Sequence, residues 1–280
     1  MLWSNKTWLV TGSSTGFGHS IVRAVLARGG NVVATARNPA ALKSLAAEGP
    51  GRMLTAELDV TRHDQISSAI KAAETTFGGI DVLVNNAGYG FQGGIEESSD
   101  AEIRHQFEVN FFGLTAATRA VLPMMRRRRS GYIINFSSVA GFLGVAGAGW
   151  YCATKFAVEG FSEALALEAG PLGIRVLVVQ PGPFRTDFGG RSIKRAAERI
   201  PDYEIVTERH KKTDAQSGKQ AGDPNRAAQA LIAAIESDQP PLHLALGRMA
   251  TETGESVYRT RIEEVVKWRS TALATDFPDL

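Results

Sequence analysis

Seven short apolar runs, rich in β-branched residues, constrain what this chain can fold into more than any other feature. Most of them are continuous rather than alternating, which is typical of parallel strands buried on both faces. Between the runs, apolar residues recur at helical spacing; Ile21, Val22 and Val25 share one helix face. This alternation predicts right-handed crossovers and a doubly wound α/β fold, with a seven-stranded parallel sheet and helices on both faces. The predicted strands span residues 7–11, 32–35, 53–59, 81–85, 132–137, 175–180 and 242–246.

The 280 residues are predicted to form one domain. Neither an internal repeat nor a linker rich in Pro, Gly and Ser interrupts the alternation. The segment 189–222 breaks it, because it is polar and charged and lies between the sixth predicted strand and a helix near 225–235. Such an insertion in a compact domain is usually a lid, a binding loop or disordered. We expect it to be a lid that is mobile without ligand.

Composition and charge exclude several classes of protein. The single cysteine, Cys152, excludes a disulfide framework and multi-cysteine zinc or iron–sulfur sites, and we expect no metal. The chain has 31 Lys and Arg against 29 Asp and Glu, a net charge of +2. A general nucleic-acid binder would carry a concentrated excess of positive charge, which this chain does not have. The sequence contains no run of about 18 apolar residues, so we expect no membrane span. The first residues lack the features of a signal peptide, so we expect a cytoplasmic protein that binds neither nucleic acid nor membrane.

A glycine-rich turn, TGSSTGFG at 11–18, connects the first predicted strand to a helix. Glycines let the backbone approach a pyrophosphate, whose charge the helix N-terminus stabilises. The spacing departs from the common G-x-G-x-x-G, since three residues separate Gly12 from Gly16. The segment Gly12 to Gly16 also matches the G-x-S-x-G elbow of α/β hydrolases. That elbow normally follows several strands, and here only one strand precedes it, so its position favours dinucleotide binding.

Polar or conformationally special residues stand at the ends of six different predicted strands. In an open α/β sheet, ligands bind at the carboxyl ends of the strands. The pattern therefore predicts one shared crevice. The six residues are Gly12, Arg37, Asp59, Asn85, Ser138 and Pro181.

Ser138, Tyr151 and Lys155 form a candidate catalytic group. Tyr151 and Lys155 are four residues apart and would share one face of a helix. A free tyrosine titrates near pH 10 and is a poor acid or base at neutral pH. A neighbouring ammonium stabilises the phenolate, and lowering its pKa by about three units requires roughly 4 kcal/mol of differential interaction. The Ser138 hydroxyl can hold a carbonyl oxygen while the phenol donates a proton to it.

Together these motifs resemble the short-chain dehydrogenase/reductase family. Through VVATARNP and PGPFRTDF the chain is similar to bacterial members of the 17β-hydroxysteroid-dehydrogenase-like and retinol-reductase-like kind. The resemblance implies a Rossmann fold, hydride chemistry carried by a nicotinamide cofactor, and a homodimer or homotetramer. It also implies a single catalytic domain over residues 1–280, with 189–222 as the substrate-binding lid. The matching segments, in the family's order, are TGSSTGFG (11–18), LDV (58–60), NNAG (85–88), NFFG (110–113), FSS (136–138), YCATK (151–155) and PGPFRT (181–186).

The resemblance also implies individual roles. Tyr151 would be the general acid/base, Lys155 would lower its pKa and bond the nicotinamide ribose, and Ser138 would polarise the substrate oxygen. Asn110 would hold a water in a proton relay to Lys155, and Thr186 would bond the carboxamide. Asp59 and Val60 would contact the adenine. The cofactor-binding residues expected from the glycine turn and the resemblance are Gly12, Ser14, Thr15, Gly16, Phe17, Gly18, Asp59, Val60, Asn86, Ala87, Gly88, Tyr151, Lys155, Pro181, Gly182, Phe184 and Thr186.

The residues after the second predicted strand favour NADP(H) over NAD(H). In a dinucleotide fold an acidic residue at this point bonds the ribose hydroxyls of NAD. Ala36 stands there and cannot accept those bonds, while the Arg37 guanidinium can grip a 2′-phosphate. Asn38 can add a donor. Thr15, where NADP-preferring relatives often carry a base, is not basic.

The sequence thus predicts an NADP(H)-dependent oxidoreductase that interconverts a ketone or aldehyde and the corresponding alcohol of a small-molecule substrate. An alternative is a catalytically silent NADP(H)-binding regulatory protein on the same fold. Such regulators usually lack the tyrosine or the lysine, and both are present here. The segments 141–149 and 189–222 would set the substrate pocket, and their sequences do not name the substrate.

Overall fold

A parallel sheet of seven strands forms the centre of the molecule in a computed structural model that describes residues 4–190 and 192–277. Its strands are β1 (Thr7–Val10), β2 (Asn31–Ala36), β3 (Met53–Glu57), β4 (Val82–Asn85), β6 (Gly131–Phe136), β7 (Ile174–Pro181) and β9 (His243–Leu246). Their order across the sheet is β3-β2-β1-β4-β6-β7-β9, and each neighbouring pair is parallel. The predicted doubly wound α/β fold is confirmed.

Helices follow the strands along the chain, as the right-handed crossover of a parallel sheet requires. In the described residues they are α1 (Gly16–Ala27), α2 (Lys43–Ala47), α3 (His63–Phe77), α4 (Asp100–Phe107), α5 (Gly113–Arg128), α6 (Gly149–Ala169), α7 (Glu204–Gln216), α8 (Pro224–Glu236), α9 (Arg248–Lys267) and α10 (Arg269–Leu273). A π-helical turn, Glu108–Phe112, joins α4 to α5.

The sheet is buried on both faces. Along β1, Trp8 and Val10 pack into one apolar cluster with α1 and α8, whereas Leu9 packs into a second cluster with α3, α5 and α6. Successive side chains of a strand point to opposite faces, so a strand covered on both sides needs an uninterrupted apolar run. This is why the central strands show no polar alternation in the sequence.

All seven predicted strands are present, with ends displaced by one or two residues. The predicted run 53–59 ends early, at Glu57. The Leu58 amide still donates to Ala36, but the Asp59 amide turns to donate to the Gln65 side chain at 2.6 Å. Asp59 thereby leaves the sheet at its carboxyl edge.

The insertion 189–222 carries structure that the sequence did not predict. Strand β8 (Ile193–Arg195) pairs in parallel with β5 (Gly90–Gln92) to form a separate two-stranded sheet, and α7 follows. Its polar sequence is explained by α7, which buries only Val206 and His210 and leaves most of its other residues exposed.

The carboxyl edge of the main sheet is where the site is built. Strand β1 pairs with β2 on one side and β4 on the other, so the chain changes winding direction there. Ligands of open α/β sheets bind at such a switch point. Within residues 4–190 and 192–277, no helix combines the length and apolar character needed to cross a membrane.

Candidate active site

The glycine turn wraps the N-terminus of α1 at the switch point. Gly12 and Gly16 have φ of +68° and +58°, in the left-handed region that favours glycine. A Cβ on Gly12 would lie 3.0 Å from the Ala87 Cα, so the turn packs directly on the chain after β4. A Cβ on Gly18 would lie 2.4 Å from the Gly12 carbonyl oxygen, so only glycine lets α1 start this close to the turn.

The N-terminus of α1 opens toward a cleft and suits an anion. Thr15 occupies the N-cap position, but its side chain does not accept a hydrogen bond from the helix. The amides of the first turn and the positive end of the helix dipole therefore remain available for negative charge. Together with the glycine cradle, this fits the diphosphate of a dinucleotide.

The cleft beside the turn collects most of the predicted cofactor residues. It is lined from the turn, from the ends of β2, β3 and β4, and from the segment after β7. The lining residues that the sequence predicted are Gly12, Ser14, Thr15, Gly16, Phe17, Arg37, Asp59, Val60, Asn86, Ala87, Gly88 and Thr186.

In the same cleft, Arg37 and Asp59 lie just after the ends of the adjacent strands β2 and β3. Burial would raise the pKa of Asp59, but hydrogen bonds from Thr61 and the charges of Arg37 and His105 hold it below its ordinary value. Arg37 is solvent-exposed at the end of β2, and Ala36 before it is buried. No carboxylate stands at Ala36, and the guanidinium is free to take an anion.

Five predicted cofactor residues have a supporting position outside the cleft lining. Phe184 is buried against Phe17, with ring centroids 5.0 Å apart. The Gly182 amide donates to Leu246 at 3.0 Å, directly after Pro181 at the end of β7. The Asn38 side chain accepts from the Ala40 amide at 3.1 Å and caps a short helical turn. Gly18 likewise acts through packing.

Tyr151 and Lys155 lie on α6 and approach Ser138, which follows β6. The Ser138 hydroxyl lies close enough to the Tyr151 phenol to lower its pKa. It also accepts from the Ala140 amide at 3.1 Å, which fixes its orientation. The Lys155 ammonium is buried, donates to the Phe136 carbonyl at 2.7 Å and lies 5.8 Å from the centre of the Tyr151 ring. The three side chains of the candidate catalytic group thus lie close together in the structure.

Asn110 reaches the same place from the π-helical turn. Its side chain accepts from the Tyr89 amide at 3.0 Å and donates to the Tyr89 carbonyl at 2.9 Å. A Cβ on Gly88 would lie 3.1 Å from the Asn110 Oδ1 and 3.9 Å from the Lys155 Nζ. Gly88 therefore packs closely against Asn110 and lies near Lys155, so the three residues are neighbours.

Burial shifts the pKa values of both α6 residues. It raises the pKa of the Tyr151 phenol above its ordinary value of 10.0, and the hydrogen bond with Ser138 partly opposes the rise. It lowers the pKa of Lys155 to about 8, which the charge of Glu159 opposes. The protein's own groups thus favour the protonated phenol, and the lowered tyrosine pKa, which is expected from Lys155 and a cofactor's positive ring together, stays a prediction.

Comparison with known proteins identifies the family. The family model for short chain dehydrogenases matches residues 6–196. The chain belongs to this family. An oxidoreductase named BOA17 from Botryotinia fuckeliana is 35% identical over 271 residues, covering 96% of this chain and 99% of its own. A 3-ketodihydrosphingosine reductase from Bacteroides thetaiotaomicron is 36% identical, covering 85% and 87%. Human retinol dehydrogenase 8 is 34% identical, covering 85% and 80%.

Solved structures of short-chain dehydrogenases share the fold. One from Streptomyces avermitilis superimposes with a TM-score of 0.91 at 41% identity, covering 97% of this chain and 99% of its own. A structure from Burkholderia cenocepacia in complex with NADP has a TM-score of 0.74 at 26% identity, covering 94% and 98%. One from Burkholderia phymatum in complex with NAD shares the fold with a TM-score of 0.80 at 22% identity, covering 96% and 96%. The family therefore uses nicotinamide dinucleotides, and this chain is an oxidoreductase.

The structure adds cleft residues to those predicted for this short-chain dehydrogenase. The Tyr89 ring lies between His105, at 5.7 Å between ring centroids, and the Lys194 ammonium, at 4.8 Å from the ring centroid. Tyr89 directly follows the NNAG motif, so its position in sequence was a usable signal. His105 and Lys194 belong to no motif and reach the cleft only through the positions of α4 and β8.

The chain just before the insertion of this short-chain dehydrogenase lies beside Tyr151. Phe188, just before the insertion, lies with its ring 5.8 Å from that of Tyr151. The loop before α4 anchors the following residues: Glu97 accepts from the Ile200 amide at 2.9 Å, and Glu96 accepts from the Tyr203 hydroxyl at 2.7 Å. The arrangement brings the segment between β7 and α7 next to the candidate catalytic group.

Proposed function

We propose that this short-chain dehydrogenase is an NADP(H)-dependent oxidoreductase that interconverts a ketone or aldehyde and the corresponding alcohol, with Tyr151 as the general acid/base. The observation that carries this proposal is the contact of Tyr151 with Ser138 beside the buried ammonium of Lys155. A phenol held protonated next to a fixed hydroxyl is suited to donate a proton to a carbonyl oxygen.

The chain's own residues manage the proton while the cofactor, when bound, supplies or accepts the hydride. Ser138 holds the substrate oxygen next to the Tyr151 hydroxyl. In the reducing direction the phenol gives its proton to that oxygen, and in the oxidising direction the phenolate takes the proton back. Lys155 stabilises the phenolate by its charge. Asn110, a neighbour of Lys155 across Gly88, would hold a water that returns a proton toward Lys155.

The residues that would hold the cofactor follow from the cleft. The α1 N-terminus and the turn Gly12–Gly18 would take the diphosphate. Asp59 and Val60 would contact the adenine, and Thr186 would take the carboxamide. Lys155 would also bond the nicotinamide ribose, while the lid formed by 189–222 would cover the substrate.

Two relatives support the choice of substrate group. Their names describe a 3-keto reduction and a retinol oxidation, which are opposite directions of one type of reaction on a carbon–oxygen bond. We infer that this chain also acts on a single carbonyl or hydroxyl group of an organic small molecule.

The test is oxidation of NADPH, followed by its absorbance, against a panel of ketones and aldehydes. We expect turnover with at least one member, and a loss of kcat of about 10²–10⁴-fold in Tyr151→Phe with the cofactor Kd within a few-fold of wild type. A Tyr151→Phe variant that keeps more than about a tenth of the wild-type kcat would contradict the assignment, since proton transfer by a placed side chain is worth more than that. Tight NADPH binding with no turnover on any substrate would instead favour the silent regulatory protein.

The preference for NADP(H) is tested separately. Arg37 can form charge-assisted hydrogen bonds with a 2′-phosphate, and Ala36 does not repel it. We expect kcat/KM for NADPH to exceed that for NADH in the wild type, and the ratio to fall sharply or invert in Ala36→Asp/Arg37→Ile, where a carboxylate would face the phosphate. A wild-type enzyme that prefers NADH would refute this part of the proposal alone.

A further inference from the structure

One lysine of the insertion lines the cofactor cleft. Lys194, on β8, borders the same cleft as the glycine turn and the chain after β4. Its side chain lies over the Tyr89 ring, with the ammonium 4.8 Å from the ring centroid. Tyr89 directly follows Gly88, one of the predicted cofactor residues. The insertion therefore brings a positive charge to the cleft that is expected to hold the cofactor.

The pairing of β8 with β5 explains why Lys194 points into the cleft. Successive side chains of a strand point to opposite faces. Ile193 lies against β5 on one face, since a Cβ on Gly90 would be 3.0 Å from the Ile193 Cγ1. Arg195 shares that face and pairs with Asp214 of α7 at 2.5 Å. Lys194 takes the opposite face, over the Tyr89 ring.

The charge of Lys194 is not neutralised within the protein. In the part of the chain that the structure describes, no carboxylate oxygen lies within 4.0 Å of its ammonium. Burial, together with the charge of Glu102, raises the pKa of Tyr89 to about 12, so its phenol is uncharged at neutral pH. A cation that is held on an aromatic face and has no counter-ion is available to an anion in the cleft.

The anions that a nicotinamide dinucleotide brings to this cleft are phosphate groups. The cleft's own carboxylate at Asp59 is already opposed by the charges of Arg37 and His105, so it does not depend on Lys194. A lysine ammonium binds a phosphate as a point charge, without the fixed geometry of a guanidinium. Lys194 therefore suits either the diphosphate or a 2′-phosphate.

We propose that Lys194 binds a phosphate group of the bound dinucleotide, so that the insertion holds the cofactor as well as covering the substrate. The proposal rests on the proposed function in so far as the cofactor occupies this cleft. It gives the polar insertion a contact with the cofactor that no motif in the sequence reports. Strand β8 should accordingly become more rigid when the cofactor binds.

The deciding experiment is a fluorescence titration of NADPH and of NADH into wild type and Lys194→Met. Methionine keeps a long unbranched side chain that can still pack on the Tyr89 ring, so the variant removes chiefly the charge. We expect the Kd of at least one cofactor to rise about tenfold, because a charge-assisted contact is lost. An equal rise for both cofactors identifies the diphosphate, which both carry, and a rise for NADPH alone identifies the 2′-phosphate.

Two further variants separate the contact from a general effect of charge. Lys212→Met removes one charge from an exposed position on α7 that does not line the cleft, and it should leave both Kd values unchanged. Lys194→Arg keeps the charge, and its Kd values should lie closer to those of wild type than to those of Lys194→Met. A Lys194→Met variant that binds both cofactors as tightly as Lys212→Met overturns the proposal. Failure of the wild type to bind either dinucleotide would overturn the proposed function as well.

Hydrogen exchange gives a second readout that needs no turnover. Saturating NADP⁺ should slow exchange in residues 193–196 of the wild type and of Lys212→Met, and should slow it less in Lys194→Met. Equal protection in the three proteins would count against a tie between β8 and the cofactor and overturn the proposal.

Discussion

At the residue scale, the Ser138 hydroxyl has two different neighbours that set its role. The Ala140 amide donates to it at 3.1 Å, so its own proton is directed toward Tyr151 and the substrate side. We expect Ser138→Ala to lower kcat by about 10²–10³-fold, the usual cost of removing one donor to a developing charge, while the cofactor Kd stays nearly constant. Steady-state kinetics and a fluorescence titration with NADPH give both values. A rise in KM alone, for every substrate, would make Ser138 a ground-state binding residue.

Lys155 is expected to serve two partners with one ammonium. Lys155→Met should therefore lower kcat and also weaken NADPH binding, because the ribose and the phenol both lose a charged neighbour. Lys211→Met is a suitable control, since Lys211 is an exposed α7 residue paired with Glu208 at 2.8 Å. A Lys155→Met variant whose cofactor Kd matches that of the control would remove the ribose role.

At the scale of single elements, the start of α1 depends on one glycine. An alanine Cβ at Gly18 would lie 2.4 Å from the Gly12 carbonyl oxygen and 2.7 Å from the Asn86 side chain, so the helix or the turn must shift. We expect Gly18→Ala to lower the free energy of unfolding by about 1–3 kcal/mol and to weaken NADPH binding, since overpacking displaces the turn that cradles the diphosphate. Gly144→Ala, where an added Cβ meets no atom within 4 Å, should not lower stability. Equal denaturation midpoints for the two variants would contradict this.

Glu97 ties the insertion to the body of the protein. This carboxylate is 2% exposed and accepts from the Gly94 amide at 2.7 Å and the Ile200 amide at 2.9 Å. Burial alone would raise its pKa, but these hydrogen bonds and the charges of Arg199 and His210 hold it below the ordinary 4.5. Because the folded-state pKa is depressed, the stabilisation that the Glu97 carboxylate gives is fully present above about pH 4.5. It is lost as the pH falls through the depressed folded-state pKa.

From this we expect hydrogen exchange in residues 196–203 to accelerate in Glu97→Gln at neutral pH. Glu97 accepts one backbone N–H bond with each carboxylate oxygen, whereas a Gln side chain has a single acceptor oxygen and must leave one of the two N–H groups unpaired. Asp100→Asn is the matched control, because Asp100 is exposed and pairs with Arg104 on its own helix. Acidification of the wild type should reproduce the effect of Glu97→Gln. Identical exchange in the two variants would show that Glu97 does not hold the insertion.

Elements with local signals were predictable, and elements held by distant contacts were not. The seven main strands follow from apolar runs, because burial on both faces leaves a direct mark on the sequence. Strand β8 has no such run; it exists because β5 offers a partner edge and because Glu97 and Glu102 bind the amides of Ile200 and Ala197. The two residues of each contact lie about a hundred positions apart in the sequence, so no pattern within 189–222 could predict them.

At the scale of the whole molecule, the switch point was predictable and the electrostatics of the site were not. Strand ends such as Gly12, Asp59 and Ser138 gather at one edge in any doubly wound sheet. The pKa of Tyr151, in contrast, is raised chiefly by burial, and the depth of that burial depends on the packing around α6, including the Phe188 ring. The sequence placed an insertion at 189–222 and predicted neither β8 nor α7 within it.

The outer surface of α6 leads to the last prediction, that the protein is a homodimer or homotetramer. Phe156, Gly160 and Leu167 lie on one stripe of this helix, and the two large residues are 39% and 80% exposed. Phe112, 50% exposed at the start of α5, extends the apolar surface beside it. Contiguous exposed apolar surface is typical of an interface. Light scattering after size exclusion should give two or four times 30.0 kDa, and Leu167→Asp should lower that mass, since a charge in an isologous interface is placed there twice. Ile205→Asp, at an exposed position on α7, should leave the mass unchanged, and a wild-type mass of 30.0 kDa at micromolar concentration would contradict the prediction.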